Sequence, residues 1–350
     1  SLFAYGQNYN TKPGGVVSTV ADAELKWETN YTANFGIESS FLDNRLTFNV
    51  DYFNRKSTNL LQNVPISSVT GFTSIKTNVG EISNKGFEFE VRGDVIRDKE
   101  VRWTLGMNLS TIKSEVTSLY GGNDIIWYDP TGNDSQAKFV YRVGNSPKSF
   151  YGKEWAGVDP ENGNAMWYTN NTTTTPYKQW NGRPVTTNSS LANDVITGCV
   201  DPDFFGGITS NLTWKGISLD LNFVYSVGGD AYNSMERYMN DDGYFSWRTM
   251  GVQALDRWQK PGDLASNPRR IYDTGFIGYQ SRWQYVNNYL RLKTLTLAYN
   301  LPQNLLKKYK VSNVRVYFSG MNLWTMASQN NFDPEVSTYG VNSWEMPLGK

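Results

Sequence analysis

The sequence predicts an all-β protein, an antiparallel transmembrane β-barrel of which this chain forms a part, with long connections at one end. Three observations predict it. Apolar and polar residues alternate along several segments, short and long connections follow one another, and strand tryptophans lie near strand ends. Alternation with a period of two places successive side chains on opposite faces of a strand.

Eight strands in four hairpins carry this alternation. It is clearest in residues 45–53, whose apolar side chains are Leu46, Phe48, Val50 and Tyr52. Residues 25–41 form the other arm of the first hairpin, and Asp43 and Asn44 supply the turn. The other three hairpins are predicted at residues 87–109, 208–225 and 295–318.

The connections distinguish two ends of the sheet. Those within hairpins are short at Asp43, Asp98 and Lys215, and moderate at Pro302. Those between hairpins are long: one around Gly71, then residues 119–203 and 228–285. Transmembrane barrels have short periplasmic turns and long extracellular loops. A soluble β-sandwich has no comparable reason to keep one end tight and the other large.

The two faces of the strands differ in chemistry. Four tryptophans predict interfacial girdles on the lipid side, namely Trp27, Trp103, Trp214 and Trp324. The opposite face is polar and is expected to line a wet lumen through Glu88, Glu90, Arg92, Asn108 and Asp220. Burying such ions in a dry core would cost several kcal/mol for each unpaired group. The alternative is an ordinary antiparallel sheet with one solvated face.

Composition excludes several classes of protein. The 350 residues include 33 Lys+Arg, 33 Asp+Glu, no His and one Cys. A net charge of zero gives no electrostatic case for a nucleic-acid partner. Without His, and with Cys199 alone, there is no Ser/His/Asp triad, no cysteine zinc cluster and no internal disulfide. The 12 Trp and 22 Tyr instead favour a lipid interface or a sugar-binding surface.

Closure of the barrel requires more strands than this chain holds. Eight strands would close a barrel whose interior holds only side chains, beneath loops far too large for it. An open sheet edge in lipid leaves backbone groups without hydrogen bonds. We therefore expect further strands before this segment and at least one closing strand after it.

No group of residues predicts catalysis, and the protein is not expected to be an enzyme. Glu88/Glu90 and Asp241/Asp242 are paired acids, and same-face strand residues i and i+2 such as Glu88 and Glu90 have a separation compatible with glycoside hydrolysis, but solvated carboxylates are the simpler interpretation. Asp159, Glu161 and Asn162 offer oxygen ligands beside a turn glycine, so they form a weak Ca²⁺ candidate. A plain β-turn is the alternative, and no cofactor is expected.

Tryptophans outside the strands are the best candidates for a functional surface. The predicted substrate-binding residues are Trp127, Trp155, Trp167, Trp180, Trp247 and Trp283. Trp258 and Trp344 also lie in the connections. Indole rings stack on sugars and pack against partner proteins. The alternative is that about half of them fill the interiors of the long loops.

Several short motifs in order resemble one family. The most specific is NVGEISNKGFE at residues 78–88. Others are LKWE at 25–28, GVDP at 157–160, YLRLK at 289–293, LAYNLP at 297–302, GMNLW at 320–324 and DPEV at 333–336. Together they resemble the C-terminal half of the barrel in SusC/RagA-type TonB-dependent outer-membrane transporters of Bacteroidetes. The resemblance covers essentially the whole chain, residues 1–350.

The resemblance implies a barrel of about 22 strands, of which this chain supplies strands fourteen to twenty-one. It implies that the plug domain, the TonB-contacting segment and the closing strand lie outside this sequence. It further implies nutrient import across the bacterial outer membrane, of an oligosaccharide or an oligopeptide, with a SusD-like surface lipoprotein as a lid. A siderophore or cobalamin receptor, or a passive surface barrel or adhesin, would keep the same strands.

Overall fold

The computed structural model describes residues 2–6, 8, 10–130, 137–172, 177–240, 242–244, 247, 249–272, 278–337 and 339–341. The first strands are β1 (Leu2–Tyr5), β2 (Gly15–Ala21), β3 (Thr29–Phe41), β4 (Leu46–Pro65), β5 (Ser74–Arg97), β6 (Val101–Ser110) and β7 (Lys113–Leu119). Shorter strands follow: β8 (Ile125–Tyr128), β9 (Lys138–Tyr141), β10 (Ser149–Lys153), β11 (Trp155–Val158), β12 (Ala165–Tyr168), β13 (Tyr177–Trp180), β14 (Arg183–Thr186) and β15 (Asp194–Cys199).

The second half returns to long strands. They are β16 (Phe204–Trp214), β17 (Ile217–Val227), β18 (Asp230–Tyr232), β19 (Gln284–Val286), β20 (Tyr289–Asn300) and β21 (Arg315–Ala327). The α-helices are α1 (Ser234–Met239) and α2 (Gln303–Lys307). The 3₁₀ turns are Ser68–Thr70, Tyr120–Gly122, Ser189–Leu191, Val252–Leu255 and Ser281–Trp283. Within the described residues, no helix combines the length and apolarity needed to cross a membrane.

The eight predicted strands are confirmed as one antiparallel series. Their order is β3-β4-β5-β6-β16-β17-β20-β21. Strands β1, β2 and β7 extend the same sheet, with β2 parallel to the beginning of β5 and β7 antiparallel to it. The sequence did not indicate these three, because they lack a sustained apolar alternation.

Two boundaries differ from the sequence prediction. Strand β3 begins at Thr29 rather than near residue 25, because the Asn78 side chain bonds both main-chain groups of Lys26 in place of a strand. The connection around Gly71 is shorter than expected, since β4 and β5 continue as a paired ribbon to Pro65 and from Ser74. A bulge at Asn59, whose φ is 56°, divides this ribbon from the alternating part.

Strand register sorts the side chains onto two faces. Directly paired residues form one apolar row: Phe48, Val91, Met107, Ile208, Phe223, Leu292 and Trp324. The adjacent row on the other face is Glu38, Asn49, Glu90, Asn108, Gly207, Val224, Arg291 and Thr325. The residues predicted to line the lumen all have the parity of this second, polar face.

Three of the four girdle tryptophans lie on the apolar face. Trp103 is opposite Leu212, Trp214 is opposite Val101, and Trp324 is opposite Leu292. The indole N–H of Trp103 donates to Ser210 Oγ at 3.0 Å, so this ring keeps a hydrogen bond on the apolar side. Trp27 precedes β3 and is 91% exposed, so strand pairing does not fix its direction.

Turn chemistry closes one end of the sheet tightly. Lys215 and Gly216 join β16 to β17 with φ values of 46° and 87°, the pattern of a two-residue type I′ turn. A side chain at residue 216 would place its Cβ 2.9 Å from the Asn300 carbonyl oxygen. At the other end, residues 111–203 and 228–288 separate paired strands, which confirms the predicted asymmetry of the connections.

An arginine scan distinguishes the two faces. We expect Phe89→Arg to destabilise the intact protein in lipid vesicles by about 2–4 kcal/mol, because the charge enters the hydrocarbon region. Asn108→Arg should cost only about 1 kcal/mol, chiefly the hydrogen bond from the Gly207 N–H. Urea titration followed by fluorescence measures both. Equal losses would indicate a dry core on both faces.

Candidate functional site in the long connections

The two long connections fold into a layer with its own core. We call residues 119–203 loop A and residues 228–285 loop B. Loop A forms the sheets β15-β10-β9-β8 and β11-β12-β14-β13, and loop B contributes β18, which pairs with β19. The fully buried side chains include Phe139, Phe150, Tyr232 and Val341. The sequence missed these strands because each has only three to six residues. Loop B also contains α1 and the 3₁₀ turn Val252–Leu255.

Stacked aromatic rings hold this core together. Phe139 lies between Trp127 and Phe150, at centroid distances of 4.4 and 4.9 Å. Phe150 stacks on Tyr279 at 5.7 Å, which joins loop A to loop B. Burial raises the pKa of the Tyr279 phenol well above its ordinary value, and its OH lies 3.1 Å from Thr197 Oγ1. Trp127, a predicted substrate contact, is therefore packed as part of the loop core.

Three further predicted tryptophans form a junction between the loops. Trp167 and Trp283 each expose only 3% of their surface. The Trp167 indole N–H donates to Gln280 Oε1 at 2.8 Å, and its ring meets Trp155 edge-on at 5.9 Å. The Arg282 guanidinium lies 4.7 Å from the Trp155 ring and 4.2 Å from the Trp283 ring. These positions fit the alternative interpretation, in which tryptophans fill the interiors of the long loops.

The last two predicted contacts are more accessible. Trp247 is 75% exposed, and Trp180 is half-buried before the Asn181–Gly182 turn. Trp344 lies outside the described residues. Substrate contact by Trp180 or Trp247 stays a prediction, and these two retain ring surface for it.

The second acid pair has a structural partner. Asp242 binds Arg282 through both carboxylate oxygens, at 2.7 and 3.1 Å. Its predicted companion, Asp241, lies outside the described residues. Arg282 also donates to Asn267 Oδ1 at 2.6 Å. A carboxylate committed to a bidentate ion pair is poorly suited to acid–base catalysis.

The candidate calcium loop is a lysine-bridged turn. Lys178 Nζ lies 2.8 Å from Asp159 Oδ2 and 2.6 Å from Glu161 Oε2. Asn162 donates its amide to the same Asp159 oxygen at 2.9 Å. Burial alone would raise the pKa of Asp159, but hydrogen bonds from Lys178 and the Glu161 N–H outweigh it and lower that pKa. The ammonium group already compensates the two acids, so the geometry favours the alternative of a plain turn, and calcium binding here stays a prediction.

The same turn docks loop A onto loop B. Gly163 has a φ of 74°, and a Cβ there would lie 2.5 Å from the Trp258 ring. The Trp258 indole N–H donates to the Pro160 carbonyl at 3.0 Å, and the Arg269 N–H donates to the Gly163 carbonyl at 2.8 Å. The glycine is required here by both backbone conformation and close contact.

Among the described residues of the loop layer, two cavities combine polar and aromatic walls. One, of ≈ 510 Å³, lies between the loops and is lined by Trp155, Asn240, Asn267 and Arg282 among others. A second, of ≈ 750 Å³, lies on loop B beside Trp258. Both contain polar and aromatic side chains, a combination suited to binding polar ligands. Within the described residues, no group of three or more Cys, Asp or Glu side chains is placed to bind a metal ion.

An ion cluster fastens the segment after β21 to the polar face of the sheet. Arg291, on β20, is 2% exposed and lies 2.8 Å from Asp333 and 2.5 Å from Glu335. Lys293 contacts Glu335 at 2.7 Å, and Pro334 is fully buried. The YLRLK and DPEV motifs thus meet in space. Both motifs were recognised in the sequence, but their contact was not predicted. The opposite charges of the basic YLRLK motif and the acidic DPEV motif were the signal that could have indicated it.

A matched pair of glycine substitutions tests the docking of the loops. Gly163→Ala and Gly182→Ala both place alanine at a φ near 75°, which costs about 1–2 kcal/mol. Only Gly163→Ala also collides with a ring, since nothing lies within 4 Å of a Cβ at residue 182. We expect a further loss of about 1–3 kcal/mol and faster proteolysis of loop B in Gly163→Ala. Equal proteolysis rates would contradict the docking role.

The ion cluster gives a second expectation. Arg291→Met should release residues 328–341 from the sheet, at a cost of about 3 kcal/mol, because two acids lose their buried partner. Limited proteolysis of the intact protein reports the release. Arg315→Met is the control, since Arg315 is exposed and has no ion pair among the described residues. Unchanged protection in Arg291→Met would show that packing alone holds the segment.

Comparison with known proteins supports the barrel assignment. The family model described as "TonB dependent receptor-like, beta-barrel" matches residues 1–341. "TonB-dependent receptor P3" of Formosa agariphila is 30% identical over 94% of this chain and 33% of its own length. "TonB-dependent receptor SusC" of Bacteroides thetaiotaomicron is 27% identical over 92% of this chain and 31% of its own. The chain therefore spans about a third of the curated relatives it matches.

Solved structures agree with the sequence relatives. The "RagAB peptide transporter" superposes with a TM-score of 0.81 at 26% identity, covering 98% of this chain and 36% of that one. The RagAB peptide importer in its "closed-closed" state gives a TM-score of 0.80 at 26% identity, over 99% of this chain and 37% of that one. The arrangement of strands and long connections described above is therefore shared with these structures.

Proposed function

Because this chain belongs to the TonB-dependent receptor-like β-barrel family, we propose that the protein imports an oligosaccharide or oligopeptide across the bacterial outer membrane, in which the family resides. TonB drives the import through parts of the protein that lie outside this sequence. A SusD-like lipoprotein covers the extracellular loops. The similarity to SusC and to the RagAB peptide transporter supports this proposal.

The observation that carries the proposal is the pairing of a polar sheet face with a folded loop layer. A row containing Glu38, Asn49, Glu90 and Asn108 faces away from the apolar side. Such a face supports a water-filled path for a polar solute. Loops A and B share one aromatic core above it, which supports recognition by a shaped surface.

Exposed apolar side chains on loop B support the lid. Trp247, Val252, Leu255 and Leu264 are each more than 70% exposed. Several large exposed apolar side chains within one loop are the kind of surface that a partner protein covers. A lipoprotein seated here would cover them while the polar face below stays hydrated.

Uptake by whole cells tests the function. We expect cells with the full-length protein to accumulate labelled oligosaccharide or oligopeptide, and to lose that uptake when TonB is deleted. The full-length protein should co-purify with a surface lipoprotein, and deletion of residues 241–270 should release it while the barrel stays heat-resistant. Uptake of a ferric siderophore or cobalamin instead would favour the receptor alternative. If cells took up none of these compounds, whether or not TonB was present, a passive surface barrel would be favoured.

A further inference from the structure

The ≈ 750 Å³ cavity on loop B carries an excess of positive charge. Among the residues that the structure describes, its lining is Arg257, Arg269, Arg270, Trp258, Tyr272, Gln259 and Gly243, none of which is acidic. Within the part of the chain that the structure describes, no carboxylate oxygen lies within 4.0 Å of these three guanidinium groups. Three like charges around one cavity repel one another and attract an anion.

Other arginines of the loop layer behave differently. Arg142 pairs with Asp124 at 2.5 Å, Arg183 with Glu154 at 2.7 Å, and Arg282 with Asp242 at 2.7 Å. An arginine in this layer thus commonly has a carboxylate partner from its own chain. Among the described residues the three cavity arginines have no such carboxylate partner, although the whole sequence has equal numbers of basic and acidic residues.

The cavity walls are held in place by loop A. Arg269 is fixed through its main chain to Gly163 and through its Nε to Asn164 Oδ1 at 3.1 Å. Trp258 is fixed by its indole hydrogen bond to Pro160. A ligand therefore meets a guanidinium and a ring that are already positioned, which lowers the entropic cost of binding.

We propose that this cavity binds an anionic oligosaccharide, through guanidinium contacts to its carboxylate or sulfate groups and ring contacts with Trp258 and Tyr272. Guanidinium groups match the geometry of such oxyanions, and aromatic rings stack on sugar faces. Its role as a substrate subsite rests on the proposed import function. A substrate subsite of this chemistry means that the imported nutrient is an acidic glycan.

The main chain around the cavity favours a glycan over an acidic peptide. The amide N–H groups of Trp258, Gln259 and Arg269 already donate to Asn267, Asp263 and Gly163. Extended peptides are commonly bound by main-chain pairing with a sheet edge. These three amides are therefore engaged within the chain, and the guanidinium and ring side chains supply the contacts that suit a charged sugar ring.

Binding to the purified full-length protein tests the proposal, with tetragalacturonate, maltotetraose and a tetra-aspartate peptide as probes. Calorimetry should show tetragalacturonate binding at least about 10-fold more tightly than the other two. Arg257→Gln, Arg269→Gln and Arg270→Gln should each weaken it about 10-fold. Lys260→Gln, which removes the same charge from the same loop outside the cavity lining, should change it less than about 2-fold.

Salt and uptake separate the possible results. Raising NaCl from about 0.05 M to about 0.5 M should weaken tetragalacturonate binding. Equal affinity for maltotetraose, tighter binding of tetra-aspartate, or arginine variants no weaker than Lys260→Gln would each overturn the proposal. Heat-resistant migration of every variant shows that the barrel is folded. If the arginine variants took up tetragalacturonate as fast as the wild type, the subsite proposal would also be overturned, while the proposed import function would be unaffected. Absence of any oligosaccharide or oligopeptide uptake would instead refute the proposed function.

Discussion

Hydrogen bonding of the strand backbone is the constraint on which the rest of the structure depends. In the hydrocarbon region a strand has no water to satisfy its N–H and C=O groups, so each strand must pair with both neighbours. The continuous antiparallel series from β3 to β21 meets this requirement over its interior strands. Once register is fixed, the two-residue period determines which side chains meet lipid and which meet water.

The loop layer is organised by different forces. Its strands are short and take their stability from a shared aromatic core, in which Phe150 and Tyr279 join the two loops. Polar junctions then fix the relative position of the loops, through the Lys178-bridged turn and through Arg282 between two indole rings. Both loops therefore build one surface above the sheet, and no continuous ladder of strand hydrogen bonds is needed to hold it there. Under the proposed function, this is the surface that a glycan or peptide would meet.

The sequence predicted the membrane part better than the loop part, for a physical reason. Residues such as Phe89 and Glu90 lie on opposite faces of one long strand, so alternation alone predicts their positions. Loop positions are set by long-range contacts that leave no periodic signal, as when Gly163 accommodates Trp258 or Arg291 binds Asp333. For the same reason, burial could not be predicted for the tryptophans named as substrate contacts. They were selected for the chemistry of the indole ring, and Trp167 and Trp283 are in fact buried. The cavity arginines were missed because only the three-dimensional structure shows that, among the described residues, no carboxylate pairs with them.

Thiol labelling of consecutive positions in β17 tests the two-faced sheet most directly. Leu219, Asp220, Leu221 and Asn222 would each be replaced by cysteine in the full-length protein, with Cys199 changed to serine, and exposed to a water-soluble maleimide in membranes. Strand register predicts rapid labelling at residues 220 and 222 and protection at 219 and 221, since the latter pair with Leu297 and Leu295 on the apolar face. Equal labelling at all four positions, or the opposite alternation, would contradict a lipid-facing apolar surface and a hydrated polar one.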